Sequence, residues 1–249
     1  MLGVLYVSHG TRVKEGLHQA NHFLQKCMLQ VHVPIQKVCY LELVRPNIQE
    51  GIRRCVAAGV RTLLVQPLLL LTAGHAKRDI PGEIDKARKK YRHVHFICGR
   101  PFGVDDIIIH LLIERLHEKQ QNLPERYAIL LVGRGSSDPD TKRDFAAIRR
   151  LLLNKGIPSV IVCYMAAASP SFQEGLERVV REKRGQTFVI PYLLFTGVLM
   201  KTISRSVREK NEAGAAFVLC RPLGYHPALI QLMKKRIRES LQDVPPHYA

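Results

Sequence analysis

The sequence predicts an α/β protein built of two doubly wound, parallel-sheet lobes. Three observations lead there. The chain is an internal duplication, each half alternates short β-rich runs with longer amphipathic runs, and the alternation runs four times per half. The duplication is direct. Val38-Cys39-Tyr40-Leu41 is answered by Val162-Cys163-Tyr164-Met165, and Pro46 by Pro170. Gln49-Glu50-Gly51 is answered by Gln173-Glu174-Gly175, Pro67-Leu68-Leu69-Leu70 by Pro191-Tyr192-Leu193-Leu194, and Thr72 by Thr196, all at one separation. With small gaps the match extends from Val7-Ser8-His9-Gly10 with Val132-Gly133-Arg134-Gly135 to Arg100-Pro101-Phe102-Gly103 with Arg221-Pro222-Leu223-Gly224.

Taken in order, the first half has strand patterns near Leu2–Val7, Gln36–Leu41, Arg61–Leu68 and Val94–Cys98. Helical periodicity follows each, near Lys14–Val31, Pro46–Ala58, Ile80–Tyr91 and Val104–Gln121. The longest apolar run, Leu63 to Leu71, is interrupted by Gln66 and Pro67 and reads as a buried parallel strand. The second half repeats the pattern with strands at Tyr127–Val132, Val160–Met165, Thr187–Pro191 and Ala216–Cys220. The polar stretch Gln120–Arg126 reads as the join, which sets lobes of 1–122 and 123–249. Asp138-Pro139 and Ser169-Pro170 each read as an N-cap followed by proline at the first helical position.

Composition narrows the function classes. No stretch of the 249 residues reaches the roughly 20 apolar residues that span a bilayer. The N-terminus carries no basic leader or cleavage pattern before the first strand, so a cytoplasmic protein away from membranes is expected. The six cysteines form no CxxC pair, which argues against a zinc ribbon, a cysteine-bound cluster or a disulfide scaffold. A net charge of +17 favours an anionic partner. Nucleic acid is disfavoured, because aromatics are few, no recognition motif appears, and the basic residues are spread along helices. A small polycarboxylate fits the same charge.

Ligands of open parallel sheets bind where the strands end at their carboxyl termini. In the first half those loops carry His9, Glu42 and His75. With strand one between two and three, the three side chains converge. The duplicate serves as an internal control: Arg134 answers His9, Ala166 answers Glu42, and Leu199 answers His75. The fold therefore does not require the three groups. Two imidazoles and a carboxylate suit a borderline divalent metal and are also proton acceptors. Structural readings stay open at this point. His9 could be a turn residue bonded to backbone, Glu42 a partner of Arg45, and His75 a helix cap; the remaining histidines read as surface. In the second half, Gly133-Arg134-Gly135-Ser136-Ser137-Asp138 is a glycine-rich turn entering a helix and offers backbone N–H groups to an anion. The fingerprints GxGxxG and the P-loop are absent.

Together these residues resemble the class II chelatase family, the sirohydrochlorin ferrochelatases and their cobalt-specific relatives. The resemblance is carried by Leu5-Tyr6-Val7-Ser8-His9-Gly10-Thr11-Arg12-Val13-Lys14, Pro67 to Lys77, Val132 to Asp140 and Pro191 to Gly197, in order along nearly the whole chain. It implies two flavodoxin-like lobes facing each other across a cleft. The paired active-site histidines would fall on His9 and His75, and the intervening acid on Glu42. It implies an ATP-independent lyase of siroheme biosynthesis that inserts Fe²⁺ into sirohydrochlorin, with Co²⁺ insertion as the alternative. The divalent metal is then a substrate, with no cofactor permanently bound. Arg12, Arg134, Ser136 and Ser137 are the candidates for gripping the substrate's carboxylates. Fusion of both halves in one chain points to a monomer. The end of the chain, Pro245-Pro246-His247-Tyr248-Ala249, has neither the histidine-rich tail nor the cysteine-bound cluster of some cobalt-specific relatives, which tilts the choice to iron. Two other readings are a histidine phosphatase, which would have Arg-His-Gly where this chain has Ser8-His9-Gly10, and a non-catalytic metal or tetrapyrrole carrier.

Overall fold

In the computed structural model, which describes residues 1–183 and 185–242, two four-stranded parallel sheets carry the fold. The discussed tail Pro245 to Ala249 lies outside the described residues. In the first sheet β1 (Leu2–Ser8), β2 (Ile35–Tyr40), β3 (Thr62–Leu68) and β4 (His95–Cys98) run in the order β2-β1-β3-β4. Strand one thus lies between two and three, as the convergence argument required. In the second sheet β5 (Tyr127–Gly133), β6 (Val160–Tyr164), β7 (Gln186–Tyr192) and β8 (Phe217–Leu219) repeat the order β6-β5-β7-β8.

The central strands are buried on both faces, which is why they read as apolar runs and not as alternations. Gln66 is the polar exception in β3. It is fully buried, and its side-chain amide donates to the carbonyls of Pro67 and Arg100 at 3.2 and 2.9 Å. Pro67 is tolerated because β4 ends at Cys98, opposite Val65. Two residues further on, the missing N–H faces past the end of that strand.

Helices follow each strand: α1 (Lys14–Gln30), α2 (Ile48–Ala57), α3 (Ile80–Lys90) and α4 (Asp106–His117) in the first half. The second half has α5 (Pro139–Asn154), α6 (Phe172–Arg181), α7 (Val198–Glu212) and α8 (Pro227–Gln242). Asp138 caps α5, accepting from the Asp140 N–H at 3.0 Å with Pro139 in the first turn, as expected. The expected cap at Ser169 is wrong. The Ser169–Pro170 bond is cis, and the Pro170 carbonyl accepts from the Tyr164 N–H at 2.9 Å, which holds Pro170 in the loop. Helix α6 starts two residues later through a capping box between Ser171 and Glu174, matched in α2 by Asn47 and Glu50.

The described residues divide into two compact units, Met1–Gly103 with α8 from Leu229, and Val104–Ala228. This differs from a split at residues 122/123 in the placement of one helix per half: α4 belongs with the second sheet and α8 with the first. The cause is a duplicated polar lock. In the first unit the buried Arg236 of α8 donates through Nε to the carbonyls of Pro101 and Phe102 at 3.2 and 3.0 Å. Glu239 bridges Arg236 and Arg100 at 3.0 and 2.6 Å. In the second unit the buried Arg115 of α4 donates to the carbonyls of Pro222 and Leu223 at 2.9 and 2.7 Å, and Glu118 pairs with both Arg115 and Arg221. Each Arg-Pro-x-Gly stretch is thus gripped by a helix from the other half of the sequence.

Among the described residues no helix is long and apolar enough to cross a membrane. Five of the six cysteines are buried and none is in a disulfide. Burial pushes the Cys27 and Cys163 thiols up to about 12, so they stay protonated and act as small core residues.

Candidate metal centre

The site is built on the carboxyl ends of β1, β2 and β3. The loop after β1 is tied to the loop after β2 by backbone: Leu41 N–H donates to the Ser8 carbonyl at 2.9 Å and Glu42 N–H to the His9 carbonyl at 3.1 Å. This parallel continuation beyond the sheet places Glu42 beside His9. It also leaves no room at Gly10. There φ is +89°, and a Cβ would lie 2.0 Å from the Glu42 carbonyl oxygen. The second unit reproduces the strap, with Ala166 N–H donating to Arg134 and a Gly135 Cβ position 1.8 Å from the Ala166 oxygen. The backbone of the site is therefore common to both halves, and only the first unit adds the donor side chains.

His75 arrives from the third loop. It opens a single π-helical turn, His75–Asp79, that runs directly into α3; the Ile80 N–H donates back to the His75 carbonyl. His9, Glu42 and His75 each offer one ligand atom, and these atoms all lie within 4.8 Å of one another. The two imidazole centroids are 5.1 Å apart with the rings nearly perpendicular, at 83°. His9 Nε2 is 3.4 Å from Glu42 Oε1. Metal bonds of about 2.1 Å require donors no more than roughly 4.2 Å apart. The His9–Glu42 pair already meets that limit, and all three side chains are at least 31% exposed, with room to adjust by the remaining few tenths of an ångström.

Both imidazoles have a polar neighbour at Nδ1, and His9 turns its Nε2 toward Glu42. His9 Nδ1 lies 3.1 Å from the Gly10 carbonyl and His75 Nδ1 2.6 Å from Asp79 Oδ2. The backbone-bonded reading of His9 thus describes one ring nitrogen only. Glu42 does not pair with Arg45, whose guanidinium goes to Glu50. His75 makes no side-chain cap. The contact to Asp79 was missed in the sequence, where a His-x-x-x-Asp spacing at a helix start was the available signal.

The remaining expected residues lie on the two answering loops. Arg12 is exposed, on the β1–α1 loop. Arg134 and Ser137 are exposed and Ser136 half-buried, on the β5–α5 loop of the second unit. Ser136 is partly used by the fold, its Oγ accepting from the Asp138 N–H at 3.1 Å. Leu199 and Ala166 stand in the second unit where the first has His75 and Glu42, and offer no donor there.

Two doubly wound units from one duplication, one of them carrying a histidine–glutamate–histidine cluster at its strand ends, define a protein of duplicated α/β architecture with a candidate metal centre in one half. The family model CbiX matches residues 3–119 and 128–240, once per half, and the chain belongs to that family. It is similar to a sirohydrochlorin ferrochelatase of Priestia megaterium, 46% identical over 98% of this chain and 92% of the relative. A sirohydrochlorin cobaltochelatase of the same organism is 37% identical over 97% of this chain and 81% of the relative. Among solved structures, SirB from Bacillus subtilis with Fe³⁺ matches with a TM-score of 0.87 and 38% identity, over 96% of this chain and 95% of that one.

Proposed function

We propose that this chain is a sirohydrochlorin ferrochelatase: it inserts Fe²⁺ into sirohydrochlorin, without ATP, and releases two protons. The observation that carries this is the cluster of His9, Glu42 and His75 within 4.8 Å at the strand ends, on a scaffold whose duplicate has the same backbone and no donors. Neutral imidazoles and a carboxylate suit Fe²⁺ without binding it as tightly as a thiolate cage would, which is what a metal in transit requires. The metal exchanges its protein donors for ring nitrogens as two pyrrole protons leave. The groups released from the metal, the imidazole Nε2 atoms and the Glu42 carboxylate, are then free to accept those protons.

The anionic substrate meets a chain of net charge +17. Arg12 in the first unit, and Arg134, Ser136 and Ser137 in the second, are assigned to its carboxylates on chemistry: guanidinium and hydroxyl donors on glycine-rich strand-end loops. Iron is preferred to cobalt because the ferrochelatase relative is the more similar, over more of its length. The protein is assigned as a monomer, since one chain holds both halves.

The test is anaerobic and optical. Sirohydrochlorin absorbance is followed with Fe²⁺ or Co²⁺, with and without protein. Acceleration over the spontaneous rate, faster for Fe²⁺, is expected. Binding of sirohydrochlorin with no acceleration would make the protein a carrier instead.

A further inference from the structure

We propose that Asp79 is a positioning residue for His75: its carboxylate holds the imidazole with Nδ1–H toward itself and the Nε2 lone pair toward the metal. The inference rests on reading His9, Glu42 and His75 as the metal site. Three observations lead to it. First, His75 Nδ1 and Asp79 Oδ2 are 2.6 Å apart, a short charge-assisted hydrogen bond between residues four apart in the chain. A carboxylate is an acceptor only, so Nδ1 carries the proton of this bond, and in the neutral ring the lone pair is then on Nε2.

Second, the backbone is altered where the pair sits. His75 to Asp79 form a π turn, a widened turn that holds one extra residue, and such turns concentrate at functional sites. The core anchor that follows is Ile80, fully buried. In the second unit the answering helix α7 has no such turn, and its first core anchor is Ile203, also fully buried. His75 precedes its anchor by five residues and Leu199 by four. The π turn lets the first unit keep its core register while carrying both His75 and Asp79 on the solvent side.

Third, the residue before the anchor differs in kind. It is Asp79 in the first unit. In the second it is Thr202, whose hydroxyl donates to the Val198 carbonyl at 3.2 Å and has no side-chain partner role there. The acid, like the histidine, belongs to the half that has the donors. Asp79 is 55% exposed and its side chain does not cap α3; its carboxylate lies against His75 instead. Carboxylates bonded to the outer nitrogen of a ligating histidine fix its tautomer and ring orientation.

The experiment compares wild type with Asp79→Ala in three measurements. In the metal-free protein at about pH 8, where an ordinary imidazole is neutral, ¹⁵N NMR reads the His75 tautomer. Wild type should show the proton on Nδ1, and Asp79→Ala should shift it toward Nε2. Co²⁺ affinity, from its visible absorption, should fall about 10–100-fold, and iron insertion by a similar factor. The circular dichroism melt should be unchanged. A wild-type His75 bare at Nδ1 would overturn the proposal, as would an Asp79→Ala protein with unaltered tautomer and Co²⁺ affinity. His75→Ala is run alongside. Full Co²⁺ binding and insertion in that variant would reject the metal reading itself, independently of what the tautomer shows.

Discussion

His9 and His75 reach the same point by different anchors, a backbone carbonyl for one and a carboxylate for the other. Each is about one-third exposed, neither belongs to a packed core, and the duplicate does without both. His9→Ala and His75→Ala should therefore fold with unaltered melting and lose insertion by about 100-fold or more, the scale of a lost proton acceptor, before any loss of metal affinity is added. Stopped-flow absorbance of sirohydrochlorin with Fe²⁺ measures it; a normal rate in both variants would remove the site from the reaction. Leu199→Ala, a half-buried position, should lower stability by less than the 2–5 kcal/mol of a full core truncation and leave insertion intact. Arg134→Ala changes an exposed cation and should raise KM for sirohydrochlorin while kcat holds. These residues were legible in the sequence because repetition supplied a control: differences between the halves stood out against a shared scaffold. Asp79 was not legible as part of the site. The residue-by-residue match places it opposite a core position, and only the π turn reveals that one extra residue is present.

At the level of elements, the strand ends are strapped together by two backbone hydrogen bonds that only a glycine next door permits. Gly10→Ala would place a methyl group 2.0 Å from the Glu42 carbonyl oxygen, at a φ of +89° that costs an L-residue about 1–2 kcal/mol even in open space. The strap must open, so both melting temperature and Co²⁺ affinity should fall. Gly135→Ala has the same steric problem in the second unit and should lower stability while leaving Co²⁺ affinity at the first unit unchanged. Equal effects of the two on metal binding would mean the donors are not positioned by this strap. Strands and helices were readable because buried parallel strands and amphipathic helices have different periods. The start of α6 was misjudged because Ser-Pro is a helix-entry signal only when the proline continues into the helix. Here its carbonyl is spent on Tyr164, and Ser171 takes the cap.

At the scale of the whole molecule, two buried arginines hold the exchanged helices. Arg236→Ala strands the Pro101 and Phe102 carbonyls and leaves Glu239 with one cation fewer; breaking such a buried polar lock costs about 3–5 kcal/mol. Urea unfolding would report it, and a loss below 1 kcal/mol would show that apolar packing alone seats α8. The locks also set an acid limit. Burial by itself would raise the carboxyls of Glu118 and Glu239, but hydrogen bonds from Arg221 and Arg115, and from Arg100 and Arg236, outweigh it and hold both below the ordinary value. The N-cap contacts of Glu50 and Glu174 lower those two as well. Groups depressed in the folded state stabilise it fully above the ordinary glutamate value of about 4.3, and that stabilisation is lost as pH falls through the folded values. Melting temperature should therefore drop below about pH 4.3. The double variant Glu118→Gln, Glu239→Gln should flatten that decline.

The linear chain by itself determined the duplication, the strand and helix periods, the absence of a membrane-length apolar run, and which three side chains end up on neighbouring loops. Those are properties of spacing and residue type, and they survive without coordinates. Tertiary structure alone decided which sheet each final helix covers, that the three candidate donors approach within 4.8 Å, and that an acid stands beside His75. The physical reason is one of range. An apolar stripe specifies that a helix face is buried, but any parallel sheet with an open face can bury it. The choice is made by a guanidinium meeting two particular carbonyls across more than a hundred residues of chain.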